Sequence, residues 1–188
     1  PRENLYPIKY KHLSYSDQII NLDDGRFILP PLTSFHLVQA LEINKNDYVL
    51  EVGSGFGTTT SIINQFTTNI DCIESSVEMS DSFKISIKEN IFKANLLKTT
   101  IENFFDHKNP NIKKYQKSWI NGSLDQEPSN IISKSADDAQ IVCIIDNKDF
   151  KHKIVNYVKV NGNCNRFIVD EASSSFIYKF VKKEPFVF

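Results

Sequence analysis

The sequence is poor in cysteine, and the cysteines that it has show no pairing pattern. Cys72, Cys143 and Cys164 are odd in number and lack the CxxC spacing of many metal and redox sites. Two of them lie inside apolar runs typical of buried strands, so we predict reduced core residues in a reducing compartment. The four histidines likewise show no metal-ligand spacing, and no metal site is predicted.

Long apolar runs and an excess of one charge are also missing. No run approaches the roughly 18 residues of a membrane helix, and no signal segment opens the chain. The 22 basic and 23 acidic residues are mixed, and the formal net charge is -1. No broad cationic face for nucleic acid or anionic lipid follows from this balance. We therefore predict a cytoplasmic protein that binds neither nucleic acid nor a membrane. Because the chain begins at Pro1 rather than Met, we also predict that an N-terminal segment is missing.

A length of 188 residues, of which 40% are hydrophobic, fits one buried core and is short for two ordinary domains. We predict a single domain over residues 1–188, in which residues 1–31 form a loop-rich N-terminal segment that ends in Pro30-Pro31. After it, β-prone runs alternate with helical patterns. Helices are predicted over residues 32–43, 58–66 and 77–97, and strands over residues 48–52, 70–73, 99–105, 119–120 and 140–145.

Strands separated by helices predict a mostly parallel sheet with helices on both faces, which is a Rossmann-like three-layer α/β sandwich. The end of the chain has a different character, because β-prone runs at residues 157–160 and 166–169 flank Asn161-Gly162. This pattern indicates a hairpin whose loop is longer than two residues. An antiparallel C-terminal edge on the parallel sheet is therefore expected.

A glycine-rich loop follows the first predicted strand of the alternating region and precedes a helix. Residues 51–57 read Glu-Val-Gly-Ser-Gly-Phe-Gly, with glycines at Gly53, Gly55 and Gly57. Glycine permits the positive φ values and the close backbone approach that a ligand at the carboxyl ends of parallel strands requires. In dinucleotide-binding loops the third glycine comes three positions after the second, where this chain has Thr58.

Two carboxylates favour S-adenosyl-L-methionine over a dinucleotide as the ligand. Glu51 precedes the glycines, where a pyrophosphate would repel it, whereas S-adenosyl-L-methionine carries an ammonium and a sulfonium and no phosphate. Glu74 ends the next predicted strand and can accept both ribose hydroxyls. The predicted donor site consists of Glu51, Gly53, Ser54, Gly55, Gly57, Glu74 and Ser75, with Asp106 placed to receive the adenine amino group.

The chain resembles the protein-L-isoaspartate O-methyltransferase family over most of residues 1–145. The resemblance is carried by Pro-Arg-Glu-Asn-Leu-Tyr at residues 1–6, Tyr-Ser-Asp at residues 15–17, Gly-Arg-Phe-Ile-Leu-Pro-Pro at residues 25–31, the glycine loop and Glu74. Residues 119–123, 131–132 and 140–145 are similar to the family's fourth strand, the next helix and the fifth strand. The resemblance implies a monomeric class I methyltransferase that acts in protein repair on a protein or peptide and releases S-adenosyl-L-homocysteine.

The resemblance also identifies a departure in the expected acceptor region. The family's segment before the first helix usually reads Ile-Ser-Gln-Pro, and its serine lies between the methyl donor and the substrate carboxylate. Leu29 occupies the position of that serine. A second departure is Asp138-Ala139, where relatives commonly carry two glycines. His36, on the helix predicted to face the site, is a further candidate for a catalytic role.

The predicted chemistry is direct displacement at the sulfonium methyl. An acceptor carboxylate is already ionised at neutral pH, so that no general base is required and the protein supplies proximity and orientation. Because of Leu29, a methyltransferase with a different acceptor and a domain that binds the donor without transferring its methyl group remain alternatives. The third alternative is an NAD-dependent oxidoreductase, which Thr58 and Glu51 disfavour.

Overall fold

The structure, a computed structural model, describes residues 1–105, 115–149 and 151–172. Short 3-10 helices at Arg2–Leu5 and Ile8–Leu13 open the chain. The α-helices are α1 Pro31–Ala40, α2 Thr58–Ile63, α3 Val77–Lys88, α4 Ile101–Phe104 and α5 Ser129–Lys134. The strands are β1 Ile20–Asn21, β2 Phe27–Ile28, β3 Val49–Val52, β4 Ile70–Glu74, β5 Asn95–Lys98, β6 Lys117–Leu124, β7 Gln140–Ile145, β8 Lys153–Val160 and β9 Asn163–Glu171.

The main sheet has seven strands in the order β5-β4-β3-β6-β7-β8-β9. The first five of these are parallel, and β8 and β9 are antiparallel to their neighbours. The chain builds outward from β3 through β4 to β5 and then returns to place β6 on the other side of β3. Parallel sheets bind ligands at such a reversal of strand order, at the carboxyl ends of the strands. The predicted parallel sheet with an antiparallel C-terminal edge is confirmed.

The sheet is buried on both faces, because successive residues of its central strands enter two different apolar clusters. Val49 packs in the cluster that contains α1, α2 and α3 side chains, whereas Leu50 packs in the cluster that contains Ile131 of α5. Trp119 and Ile120 of β6 divide in the same way, and both are fully buried. Helices therefore cover both faces, as the three-layer prediction requires.

Two predicted boundaries between β4 and β6 were wrong. The helix predicted over residues 77–97 ends at Lys88, and Asn90 adopts a φ of 56° beyond it, a left-handed conformation that terminates helices. The third strand of the alternation is β5, and the residues predicted as that strand contain α4 instead. Thr100 caps α4 by accepting a hydrogen bond from the Asn103 amide, which explains why a β-branched pair precedes a helix.

The last third of the chain differs from the prediction in three details. Strand β6 is longer than the predicted residues 119–120. The hairpin turn is only the two residues Asn161 and Gly162, with φ values of 51° and 78°, because β8 and β9 extend further than their apolar runs. Cys164 is exposed on β9, whereas Cys72 and Cys143 are buried as predicted. Within the described residues, no helix has the length and apolar character that crossing a membrane requires.

Candidate functional site

Two small clefts adjoin at the carboxyl ends of β3, β4 and β6. The first, here called the main cleft, has a volume of about 100 Å³. Its lining comprises Arg26, Phe27, Val52, Gly53, Gly55, Ile73, Glu74, Ser75, Met79, Thr99, Thr100, Ile101, Glu102 and Asn121. The second, here called the side cleft, has a volume of about 30 Å³ and is lined by Phe27, Ile28, Leu29, Gly53, Ser54, Gly55, Phe56, Thr58, Thr59 and Asn121. The glycine loop and Asn121 separate the two.

The glycine loop is held in a conformation that few other residues adopt. Gly53, Gly55 and Gly57 have φ values of 75°, 56° and 85°. A β-carbon on Gly57 would also lie 2.7 Å from Cε1 of Phe92 and closer still to Cζ of the same ring. The amide of Gly53 donates to the Ile73 carbonyl at 2.9 Å, which ties the loop to β4. The loop is therefore fixed between the two clefts.

Glu74 presents a prepared carboxylate to the main cleft. The Gly55 amide donates to its Oε2 at 2.8 Å, and the Ser76 amide donates to its Oε1 at 2.7 Å. Each carboxylate oxygen can accept more than one hydrogen bond, so both retain capacity for a ligand. The Nε of Arg26 lies 3.9 Å from Oε1, and its guanidinium donates to the Ser75 hydroxyl at 3.0 Å. The main cleft thus has a positioned anion with a cation at its rim.

Glu51 is fully buried and lines neither cleft. The Thr60 hydroxyl donates to its Oε2 at 2.6 Å, and the Asn121 side-chain amide donates to its Oε1 at 2.7 Å. The Cys72 thiol lies 3.6 Å from Oε2. Burial away from water raises the pKa of Glu51 to about 7, and these hydrogen bonds to the charged form lower it only in part. Glu51 is therefore linked to the lining of both clefts through its hydrogen bond with Asn121.

Asn121 connects the buried carboxylate to both clefts. Besides donating to Glu51, its side-chain oxygen accepts from the Thr59 hydroxyl at 3.2 Å. Its place after the fourth predicted strand makes Asn121 a candidate for the surroundings of the acceptor, but its hydrogen bond to Glu51 spans 70 residues of chain and leaves no motif. The available signal was its position at the end of β6, the strand that pairs with β3 beside the glycine loop.

The structure distributes the predicted site residues over several environments. Gly53, Gly55, Glu74 and Ser75 line the main cleft, and Leu29 and Ser54 line the side cleft. Gly57 and Glu51 line neither cleft. The imidazole Nδ1 of His36 lies 2.8 Å from Oδ2 of Asp170 on β9, and His36 lines neither cleft. Asp106 is outside the described residues. The functional roles of all these residues remain predictions.

Residues 1–176 match the model of the family described as Protein-L-isoaspartate(D-aspartate) O-methyltransferase (PCMT). Among curated relatives, the protein-L-isoaspartate O-methyltransferase of Helicobacter pylori (strain J99) is 33% identical over 73 residues, which are 39% of this chain and 35% of the relative. The protein of the same name from Protochlamydia amoebophila is 27% identical over 89 residues, which are 47% of this chain and 42% of the relative. The aligned stretch thus spans less than half the length of each relative.

Solved structures agree on the fold. A protein-L-isoaspartate O-methyltransferase from Plasmodium falciparum, crystallised with S-adenosyl-L-homocysteine, superimposes with a TM-score of 0.74 at 15% identity. The superposition covers 95% of this chain and 86% of the other. At this identity the likeness establishes a shared fold.

Proposed function

Because the chain belongs to the protein-L-isoaspartate O-methyltransferase family, we propose that it transfers the methyl group of S-adenosyl-L-methionine to the carboxylate of an isoaspartyl residue in a protein or peptide. The observation that carries the proposal is the Glu74 carboxylate, which two backbone amides hold at the main cleft beside the glycine loop. The accompanying product is S-adenosyl-L-homocysteine.

The main cleft suits an adenosine that carries no phosphate. Glu74 retains acceptor capacity for two ribose hydroxyls, and Gly53 and Gly55 leave the backbone open to a close approach. Val52, Ile73 and Ile101 supply an apolar lining that a purine can contact. The charged side chains of this lining are those of Glu74, Glu102 and Arg26, so that acidic groups outnumber basic ones, as expected for a ligand that is itself cationic.

When bound, the donor supplies an electrophilic methyl group on a sulfonium. The task of the protein is then to hold an acceptor oxygen in line with that methyl, since an ionised carboxylate needs no proton removed. The side cleft adjoins the main cleft across Gly53, Gly55 and Asn121, so an acceptor bound there approaches the donor from the neighbouring face of the loop. Leu29 gives this cleft an apolar wall.

We propose that the protein works in the cytoplasm as a monomer and contributes to the repair of damaged proteins, without a nucleic-acid or membrane partner. The mixed surface charge supports the absence of a polyanionic partner. The free thiols of Cys72, Cys143 and Cys164 are consistent with a reducing compartment.

The test uses two peptides of identical sequence that differ only in an aspartyl or an isoaspartyl linkage, incubated with methyl-labelled S-adenosyl-L-methionine. We expect base-labile label on the isoaspartyl peptide alone. Calorimetric titration should show micromolar binding of S-adenosyl-L-homocysteine that weakens about 100-fold in Glu74→Ala, because two hydrogen bonds to a charged group are lost. Glu78→Ala, which removes an exposed carboxylate on α3, is the matched control.

The two readouts separate the proposal from its alternatives. Binding without turnover on the isoaspartyl peptide would reject this acceptor, and labelling of a cell lysate would then distinguish a methyltransferase with another acceptor from a binding module. A folded protein that binds neither S-adenosyl-L-methionine nor S-adenosyl-L-homocysteine would reject the donor site itself.

A further inference from the structure

The side cleft contains a hydroxyl with no partner. Ser54 is 3% exposed, and its Oγ is buried without a hydrogen bond from or to any residue that the structure describes. A buried hydroxyl left unpaired costs free energy, so such a group in a cleft lining indicates a ligand that completes it. Ser54 lines the side cleft and is not part of the main-cleft lining, which separates it from the glycines on either side.

The chemistry of the side cleft limits what can bind there. Its lining residues carry no charged side chain, and a volume of about 30 Å³ admits a group only a little larger than one water molecule. A carboxylate entering the cleft would therefore be bound by neutral hydrogen-bond donors, with the rest of the substrate outside. The donors on the lining side chains are the hydroxyls of Ser54, Thr58 and Thr59 and the amide of Asn121.

Asn121 is held in an orientation that leaves one donor available. One N–H of its amide is given to Glu51, and its oxygen accepts from Thr59, so the amide cannot rotate by 180° without placing its oxygen against the Glu51 carboxylate. The Thr59 hydroxyl proton is used in that bond. One N–H of Asn121 and the hydroxyls of Ser54 and Thr58 remain at the same small cleft, and of these two hydroxyls only that of Ser54 is fully buried without a hydrogen bond.

We propose that the Ser54 hydroxyl and the free N–H of Asn121 bind the methyl-accepting carboxylate, in place of the serine hydroxyl that Leu29 has replaced. This inference rests on the proposed function. One carboxylate oxygen accepts these hydrogen bonds, and a lone pair of the other forms the new O–CH3 bond as the C–S bond breaks. The electrons of that bond remain on sulfur, which becomes the neutral thioether of S-adenosyl-L-homocysteine, and no proton is transferred.

The decisive variants are Ser54→Ala and Ser118→Ala. Ser118 on β6 is also buried with an unpartnered hydroxyl, but it lines neither cleft, so it reports what the loss of a buried hydroxyl does to the fold alone. We expect Ser54→Ala to lower kcat/KM on the isoaspartyl peptide about tenfold, mainly through KM, with the Kd for S-adenosyl-L-homocysteine within about twofold of the wild type. Ser118→Ala should change neither value.

A rescue variant makes the assignment specific. Leu29→Ser in the Ser54→Ala background should restore most of kcat/KM, because it returns a hydroxyl to the lining of the same cleft from another segment of the chain. If the wild type turns over the peptide and Ser54→Ala behaves like Ser118→Ala, the assignment of Ser54 is overturned and the proposed function stands. A wild type that binds the donor but does not methylate the peptide would overturn the acceptor and this assignment together.

Discussion

The main cleft and the side cleft share the glycine loop but are built on different principles. In the main cleft, the Glu74 carboxylate is held by two backbone amides, that of Gly55, which precedes it by 19 residues, and that of Ser76, which follows it by 2. In the side cleft, the groups available to a ligand are single side chains from three distant segments, Leu29, Ser54 and Asn121. The first arrangement is set by the backbone, whereas the second is set by tertiary packing.

The difference bears on what substitution can change. A site formed by glycines and backbone amides tolerates little replacement, because every side chain added there would have to fit the loop geometry. A site formed by separate side chains can exchange one hydroxyl for another that a different segment of the chain supplies. The serine missing at Leu29 and the unpaired hydroxyl of Ser54 are consistent with such an exchange.

Substitution of Gly57 should have the largest effect on stability and donor binding, because it disrupts the loop that borders the main cleft. Gly57→Ala combines a left-handed φ of 85° with a β-carbon pressed into the Phe92 ring. We expect a loss of about 3–5 kcal/mol in the free energy of unfolding and no measurable donor binding, since strain and overpacking add. Urea denaturation and calorimetry provide the measurements.

Gly25→Ala is the matched control for that variant. Gly25 has a φ of 78° but no atom within 4 Å of its ideal β-carbon, so it carries the strain without the clash. A cost of about 1 kcal/mol is expected for it. Equal costs at the two positions would show that the Phe92 contact does not matter.

The contrast between the clefts also explains which parts of the site the sequence revealed. Gly53, Gly55, Gly57 and Glu74 are recognisable because their conformation or their place at a strand end leaves a local pattern. The hydrogen bonds that Glu51 accepts from Thr60 and Asn121 leave no local pattern in the sequence, and the one from Asn121 spans 70 residues. The sequence suggested that Glu51 would contact the donor, and only the packing of α2 and β6 against β3 shows it buried beneath Asn121.

Fold prediction was limited by similar local ambiguities. The alternation of strands and helices identified the parallel sheet, since both periods are local. The end of α3 was missed because residues 89–94 contain no proline or glycine, and Asn90 alone reverses the chain. Likewise Thr99 and Thr100 favour a strand by composition, while the hydroxyl of Thr100 acts as a helix cap.

Glu51→Gln tests whether the buried carboxylate beneath the two clefts makes stability depend on pH. A folded-state pKa of about 7 against an ordinary value of 4.5 means that the folded protein retains this proton while the unfolded chain has lost it. Stability should therefore fall as pH rises from 4.5 to 7, by about 3 kcal/mol in the wild type, and Glu51→Gln should lack this component. Urea denaturation at pH 5 and pH 8 measures the difference. Parallel curves for the two proteins would contradict burial of an ionisable Glu51, and Glu78→Gln is the exposed control.

Thr60→Val removes a hydrogen bond to Glu51 and should change the free energy of unfolding less than Glu51→Gln does. Valine keeps the branched shape in a fully buried position but removes the hydroxyl that donates to Glu51 at 2.6 Å. We expect a cost of about 2 kcal/mol at pH 8, where the carboxylate is ionised, and a smaller cost at pH 5. Combining it with Glu51→Gln should remove the pH-dependent part, because the two residues interact directly. A cost independent of pH in both backgrounds would assign Thr60 to packing alone.

His36→Gln should give the smallest effect and define where the acceptor region ends. His36 pairs with Asp170, and their side chains are 33% and 45% exposed, so solvent screens the pair and its loss should cost about 0.5 kcal/mol or less. Turnover on the isoaspartyl peptide should remain within about twofold of the wild type, since the imidazole lines neither cleft and a carboxylate acceptor requires no base. Asp170→Asn, which breaks the same pair from β9, should match it in both stability and turnover. If His36→Gln lost turnover while Asp170→Asn kept it, His36 would act in the chemistry itself, and the acceptor region would extend along α1 beyond the side cleft.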